Sequence, residues 1–153
     1  MATPQLAGVK LLSVDDDPTT QALIAAVFVR HGAIVTTCSS AEEGIAVLAE
    51  CRFDLVVSDL QMTGLDGYDL VHKLRQMEKS DVTRPLTPTV AVSGNANSPS
   101  IKRRFADFQV YMQKPFNPER LVAVLERLVE ADGEAVKAGS LAAWESANCH
   151  LEN

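Results

Sequence analysis

The fold is decided by the segment Val9-Lys-Leu-Leu-Ser-Val14-Asp15-Asp-Asp17-Pro18, in which a short apolar strand runs directly into three acids and a proline. Asp17 is predicted to cap a helix whose first residue is Pro18, since proline is favoured at that position. This helix continues to about residue 31, and Gly32 fits the left-handed position that commonly follows a helix. The segment therefore predicts a strand that leads straight into a helix.

The same alternation continues along the chain. Further strands are predicted at Ile34–Cys38, Leu55–Ser58, Thr89–Ser93 and Gln109–Met112, and further helices over 40–51, 68–78, 98–105 and 117–128. Ser40 and Glu43 have the spacing of a capping box that opens the second helix. Because short strands joined through helices pair in parallel and right-handed crossovers cover both sheet faces, the sequence predicts an α/β fold. Its architecture is (βα)5, a doubly wound parallel five-stranded sheet.

Composition limits the function before any motif is considered. The 153 residues carry 20 acids against 14 Lys and Arg, a formal net charge of −6, and the length fits one domain. An acidic balance argues against nucleic acid as a direct partner, because phosphate binding needs a basic surface. No apolar run approaches the ~20 residues needed to cross a bilayer, so no membrane insertion is expected. Three cysteines without C-x-x-C spacing indicate neither a disulfide framework nor a zinc site, and a cytoplasmic location is expected.

Polar side chains follow four of the predicted strands where each strand ends. Asp15 and Asp16 follow the first strand, Asp59 ends the third, Ser93 ends the fourth and Lys114 follows the fifth. Because parallel strands present their carboxyl ends at one edge of the sheet, we expect these side chains to converge.

Each group has a chemical use at that edge. Clustered carboxylates repel one another without a cation, and hard oxygen ligands suit Mg²⁺. A lysine and a hydroxyl are donors suited to phosphate oxygens. The sequence therefore predicts a phosphoryl-transfer site.

Four segments of the chain resemble the marker segments of the response-regulator receiver domain. They are Leu11–Pro18, Asp59–Gly67, Val90–Ala96 and Tyr111–Phe116. The resemblance covers about residues 8–131 and implies the CheY-like, flavodoxin-like strand order 2-1-3-4-5. It also implies a stand-alone, single-domain response regulator of a two-component or phosphorelay system, with residues 8–132 as the receiver domain.

The resemblance implies a magnesium site around a phosphoacceptor. Asp59 would take a phosphoryl group from a phosphohistidine on a histidine kinase or a histidine phosphotransfer protein. Asp16, Asp59 and the backbone carbonyl of Gln61 would ligate Mg²⁺, and Asp15 would act through a coordinated water.

It also implies a switch that reads the phosphoryl group. Lys114 would pair with the acyl phosphate and Ser93 would hydrogen-bond it, while Tyr111 would swing inward as that contact forms. The sequence also departs from the family pattern, since Ser93 replaces the commoner threonine, the glycine common near the end of the fourth helix is absent from 105–108, and Thr63 stands where a proline is usual after Met62. The loop after Asp59 is therefore expected to be less rigid.

Several interpretations stay open at this point. The leading one is a phosphorylation-controlled binding module that acts on a downstream protein effector and turns over no outside substrate. It could instead pass its phosphoryl group onward as a relay intermediate. A phosphatase of the haloacid-dehalogenase type is an alternative that would use Asp15 and Asp17, since Asp59-Leu-Gln61 lacks the second acid; a phosphate-independent adaptor is another.

Surface features give further predictions. In the first helix Leu23, Ile24, Val27 and Phe28 are predicted to form the core stripe, and the remaining apolar residues would either receive a histidine donor or be buried. The basic run 102–104 marks the surface that the family uses for output or a phosphorylation-dependent homodimer; it is otherwise a solvated face. Residues 1–7 are expected to be a flexible start. Residues 133–153 are expected to be a tail, either frayed or containing a short docking helix.

Overall fold

The computed structural model describes residues 6–62, 64–81, 86–94, 108–114 and 116–130. The strands are β1 (Lys10–Val14), β2 (Ile34–Cys38), β3 (Leu55–Asp59), β4 (Thr89–Ser93) and β5 (Val110–Gln113). The helices of the described residues are α1 (Pro18–Arg30), α2 (Ala41–Glu50), α3 (Gly67–Ser80) and α4 (Pro118–Glu130). The helix predicted over 98–105, the basic run 102–104 and the tail 133–153 lie outside the described residues.

The five strands form one parallel sheet in the order β2-β1-β3-β4-β5, which confirms the predicted topology. β1 lies between β2 and β3, with Val14 opposite Cys38 and Ser58. Asp59 is opposite Val92 of β4, and Ser93 is opposite Gln113 of β5. The carboxyl ends of β1, β3, β4 and β5 therefore meet at one edge.

Apolar layers cover both faces of this sheet. One layer joins the sheet to α1 and α4 and includes Leu11, Phe28, Val57, Val92, Met112 and Leu125. The opposite layer joins the sheet to α2 and α3 and includes Leu12, Leu48, Val56, Leu70 and Leu74. Alternate residues of the central strands thus enter opposite layers, which explains why these strands read as continuous apolar runs.

The core stripe of α1 differs from the prediction at one residue. Ile24, Val27 and Phe28 are buried as predicted, but Leu23 is 43% exposed. At 100° per residue Leu23 lies about 90° from the centre of the stripe that the other three define, which puts it at the surface. The prediction that Leu23 belongs to the core is therefore wrong.

The helix starts follow the predicted capping with one variation. Asp17 accepts hydrogen bonds from the Thr19 amide at 3.2 Å and the Thr20 hydroxyl at 2.6 Å, so it caps α1 as predicted. Ser40 accepts from the Glu43 amide at 3.1 Å, which is one half of the predicted capping box. The Glu43 carboxylate in turn accepts hydrogen bonds from the amide and the hydroxyl of Ser39.

A complete capping box that the sequence reading did not identify opens α3. Asp66 accepts from the Asp69 amide and Asp69 accepts from the Asp66 amide, each at 2.9 Å.

Within the described part of the chain, no helix has both the length and the apolar character that a membrane span requires.

Candidate functional site

Three carboxylates converge at the carboxyl edge of the sheet, as predicted. Asp15 follows β1 and Asp59 ends β3, and both are buried, whereas Asp16 is exposed. One carboxylate oxygen from each of these three residues lies within 4.8 Å of the other two. Hard oxygen donors this close together fit a single Mg²⁺ ion, which binds through one or two carboxylates and keeps several waters.

Lys114 joins this acid cluster to the neighbouring strands. Its Nζ donates to Asp15 Oδ2 at 3.0 Å and to Asp59 Oδ2 at 3.3 Å. Its backbone amide donates to the carbonyl of Ser93 at 2.8 Å. Lys114 therefore contacts the ends of three other strands. Its charge meets the ends of β1 and β3, and its backbone meets the end of β4.

The electrostatics of the site follow from burial and from these contacts. Burial raises the pKa of Asp59, and the charge of Asp15 adds to this, while Lys114 opposes both. Burial alone would lower the pKa of Lys114, but the hydrogen bonds and charges of the two carboxylates outweigh it and the net pKa is raised. Lys114 therefore stays charged, and Asp59 is held as a carboxylate mainly by that charge.

Ser93 and Tyr111 lie side by side below this edge. Ser93 is fully buried and Tyr111 is 1% exposed. Burial raises the pKa of Tyr111, a side-chain hydrogen bond with Ser93 opposes the rise, and the charge of Asp59 adds to it. The structure thus has the tyrosine ring in the inward position, packed with Leu60 and Ala91.

The loop after β3 is held closely against the phosphoacceptor candidate. The Gln61 amide donates to Asp59 Oδ1 at 3.3 Å. A Cβ placed on Gly67, the first residue of α3, would lie 2.4 Å from the Asp59 carbonyl oxygen. An open cleft of about 450 Å³ beside the loop is lined by Asp16, Leu60, Gln61, Met62, Gly64 and Asp66. Gln61 is therefore adjacent to the acid cluster, with its amide on Asp59, and ligation of a metal by its carbonyl stays a prediction.

Asp17 does not take part in the cluster. Its carboxylate caps α1, and hydrogen bonds from Thr20 and Thr19 lower its pKa. Its backbone amide donates to Asp15 Oδ1 at 2.8 Å, so it orients that carboxylate only through the main chain.

Sequence reasoning missed one contact that bears on the site. Glu42, in the first turn of α2, accepts a hydrogen bond from the Leu65 amide in the loop after β3. The two residues are 23 positions apart, and no local pattern relates an exposed helix acid to a loop that it meets only in the folded chain.

Comparisons with known proteins agree with this geometry. A family model described as the response regulator receiver domain matches residues 11–126. The nitrogen assimilation regulatory protein NtrX of Azorhizobium caulinodans is 32% identical over 126 residues. That match covers 78% of this chain and 26% of NtrX, so the chain spans about a quarter of that relative.

Solved structures show the same fold. The chemotaxis protein CheY4 of Vibrio cholerae has a TM-score of 0.71 and 28% identity, covering 80% of this chain and 99% of that chain. The receiver domain of the sensor histidine kinase PA1611 from Pseudomonas aeruginosa has a TM-score of 0.71 and 26% identity, covering 81% and 99%. That structure has a magnesium ion coordinated in its active-site cleft.

Proposed function

The chain belongs to the response regulator receiver domain family, and from this premise we propose that Asp59 accepts a phosphoryl group from a phosphohistidine. The donor would be a histidine kinase or a histidine phosphotransfer protein. The observation that carries the proposal is the convergence of Asp15, Asp16 and Asp59 within 4.8 Å. Lys114 donates hydrogen bonds to two of these carboxylates, Asp15 and Asp59. Receiver domains are signalling modules of two-component systems, and this chain is one.

The residues at the sheet edge suit such a transfer. An Asp59 carboxylate oxygen would attack phosphorus as the bond from phosphorus to the donor imidazole nitrogen breaks, and the imidazole leaves with that electron pair. Asp16, Asp59 and the Gln61 carbonyl, with Asp15 through a water, would hold a Mg²⁺ ion, whose charge would offset that of the phosphoryl oxygens. Lys114 would shift from Asp59 towards the new phosphoryl oxygens, which carry more charge than the carboxylate did.

Ser93 and Tyr111 would report the transfer to the surface. A Ser93 hydroxyl that hydrogen-bonds the phosphoryl group has a neighbour in Tyr111, so the two side chains would respond together. Because the structure has Tyr111 inward, we propose that the inward position is populated before transfer and becomes dominant after it. The output would be binding to a downstream protein effector, with onward phosphorelay as the alternative use of the same acyl phosphate.

Two other interpretations have weaker support. A phosphatase of the haloacid-dehalogenase type would need Asp17 free beside Asp15, but Asp17 is used as a helix cap. A phosphate-independent adaptor would not need a buried carboxylate beside a lysine. Absence of direct nucleic-acid binding, a phosphorylation-dependent homodimer and a cytoplasmic location stay predictions.

Labelling by a phosphohistidine donor tests the proposal. The purified chain is incubated with a histidine phosphotransfer protein carrying ³²P, with and without Mg²⁺, and label on the chain is followed by electrophoresis. We expect Mg²⁺-dependent label on the wild type and on Asp17→Asn, and none on Asp59→Asn. Persistent label on Asp59→Asn would contradict the assignment, because an amide cannot replace the carboxylate as nucleophile.

A further inference from the structure

Glu42 connects α2 to the loop that follows β3. The backbone amide of Leu65 donates to Glu42 Oε1 at 3.2 Å. The adjacent Gly64 has φ of +84°, and a Cβ on it would lie 2.9 Å from the same carboxylate oxygen. The loop backbone therefore lies close against this carboxylate, at a φ that glycine adopts more readily than other residues.

The loop that Glu42 holds is also in contact with Asp59 at both of its ends. At the start, the Gln61 amide donates to Asp59 Oδ1. At the end, Gly67 packs against the Asp59 carbonyl, and its amide donates to the Leu60 carbonyl at 3.2 Å. A shift of the middle of the loop would therefore move the Gln61 amide and the Asp59 carboxylate to which it donates.

We propose that Glu42 is a positioning residue of the phosphoacceptor site, which holds the loop from α2 at Gly64 and Leu65 so that Asp59 and Gln61 face the metal position together. The inference rests on the proposed function of Asp59.

The charge of Glu42 favours this role. Its pKa is lowered by a hydrogen bond from its own backbone amide and by the one from Leu65, against the nearby charge of Asp69. The acceptor is therefore ionised at neutral pH, and hydrogen bonds to ionised acceptors are stronger than those between neutral groups.

Three variants of the full chain separate the tether from general stability. Glu42→Ala removes the acceptor, Glu42→Gln keeps an acceptor oxygen at the same reach, and Glu50→Ala removes an exposed acid from the last turn of the same helix. Hydrogen exchange of the loop amides is measured without metal, and Mg²⁺ affinity is measured by calorimetry. Uptake of phosphoryl from acetyl phosphate is then measured at saturating Mg²⁺.

We expect Glu42→Ala to speed exchange at the Leu65 amide and to weaken Mg²⁺ binding, each by about two- to tenfold. Glu42→Gln should recover most of both effects, and Glu50→Ala should match the wild type. With Mg²⁺ saturating, the phosphorylation rate of Glu42→Ala should return to within about twofold of the wild type, since the defect is one of positioning the metal site.

Two results would overturn the proposal. Unchanged Mg²⁺ affinity and loop exchange in Glu42→Ala would show that the contact positions nothing, and equal defects in Glu42→Gln and Glu42→Ala would show that only charge matters. Should Glu42→Ala not fold, Glu42→Asp, which is one methylene too short to reach Leu65, takes its place. Because loop exchange needs no phosphodonor, a wild type that accepts no phosphoryl group would count against the proposed function and leave the exchange result readable.

Discussion

Burial of the Asp59 carboxylate in its charged form disfavours folding. Burial and the charge of Asp15 raise its pKa, so the folded chain binds its proton more tightly than the unfolded chain does. The stability that comes from this difference is present below the pKa of the unfolded state and is lost as pH rises through the folded pKa. At neutral pH the folded chain therefore holds a carboxylate that it would hold more easily as a neutral group.

Asp59→Asn should for that reason stabilise the chain at pH 7 without Mg²⁺. Relief of repulsion with Asp15, less the lost Lys114 contact, should raise the free energy of unfolding by about 1 kcal/mol, or the melting temperature by about 3 °C. The advantage should shrink as the pH falls and the wild-type carboxyl, whose pKa is raised, binds its proton. Thermal melts over this pH range measure it.

The matched control is Asp17→Asn, since asparagine caps a helix about as well as aspartate and Asp17 lies outside the cluster. It should melt within about 1 °C of the wild type at pH 7. An Asp59→Asn advantage that grew as the pH fell would contradict the argument.

The functional residues differ in how far local sequence predicted them. Asp15, Asp59 and Lys114 were predictable because each ends or follows a strand, and parallel pairing fixes which ends meet. Glu42 was not, because its role depends on how α2 packs beside a loop from a later part of the chain. Leu23 was assigned to the core because apolar character alone does not place the edge of a helix stripe.

Among the elements, the junction of β3 and α3 has the tightest packing near the site. A Cβ on Gly67 would lie 2.4 Å from the Asp59 carbonyl oxygen and 3.0 Å from the Leu60 Cα, both backbone atoms. Backbone cannot yield as the end of a flexible side chain can. The start of α3 can therefore pack against β3 only without a side chain at this position.

Gly67→Ala should destabilise the chain by about 3 kcal/mol, because α3 must move away from β3 to admit the methyl group. Urea unfolding measures the change. Gly94→Ala is the control, since a Cβ there meets nothing within 4 Å, and it should cost less than about 0.5 kcal/mol. Equal midpoints for the two variants would show that the junction can relax.

A buried polar network joins α3 to the amino-terminal ends of β4 and β5, on the side of the sheet away from the acid cluster. Arg75 donates to Glu78 at 2.7 Å, to the Thr87 carbonyl at 3.0 Å and to Gln109 at 3.0 Å. Gln109 also accepts from the Thr89 amide at 2.7 Å, and Glu78 accepts from the Thr87 amide at 2.6 Å. The starts of β4 and β5 are thus tied to α3, away from Ser93 and Lys114 at their other ends.

Arg75→Met should destabilise the chain by about 3 kcal/mol, since it leaves the Glu78 carboxylate, only 1% exposed, without its cation. The double variant Arg75→Met, Glu78→Gln should recover part of this loss, because the amide oxygen can still accept from Thr87 without a buried charge. Urea unfolding of the single and double variants gives the coupling energy.

The exposed pair Arg52 and Asp81, with side chains 61% and 40% exposed, supplies the control. Arg52→Met should cost less than about 0.5 kcal/mol. A double variant that is less stable than Arg75→Met would show that the buried charge was not the source of the loss. Sequence reading did not find this network, because its members are brought together only when the strands and α3 pack.

For the whole molecule, the topology decides where charge concentrates. The strand order could be predicted from the alternation of elements and the family resemblance, and this order places Asp15, Asp16 and Asp59 at one edge of a chain with net charge −6. Three of the chain's carboxylates are thus concentrated in one site. Lys114 is the cation that meets two of them, and its backbone continues the contact to β4.

Lys114→Ala should therefore separate metal binding from the response of the sheet. Without the competing ammonium, Asp15 and Asp59 should bind Mg²⁺ about three- to tenfold more tightly, because the ion becomes their main cation.

Phosphorylation of Asp59 in Lys114→Ala should continue at a lower rate, since charge on the phosphoryl oxygens loses a partner. We expect phosphorylation of the wild type to slow amide exchange in β4 and β5, and in Lys114→Ala this slowing should fall to less than half. Lys73→Ala, which removes an exposed lysine of α3, should match the wild type in all three measurements, and a full β4 and β5 response in Lys114→Ala would refute this coupling.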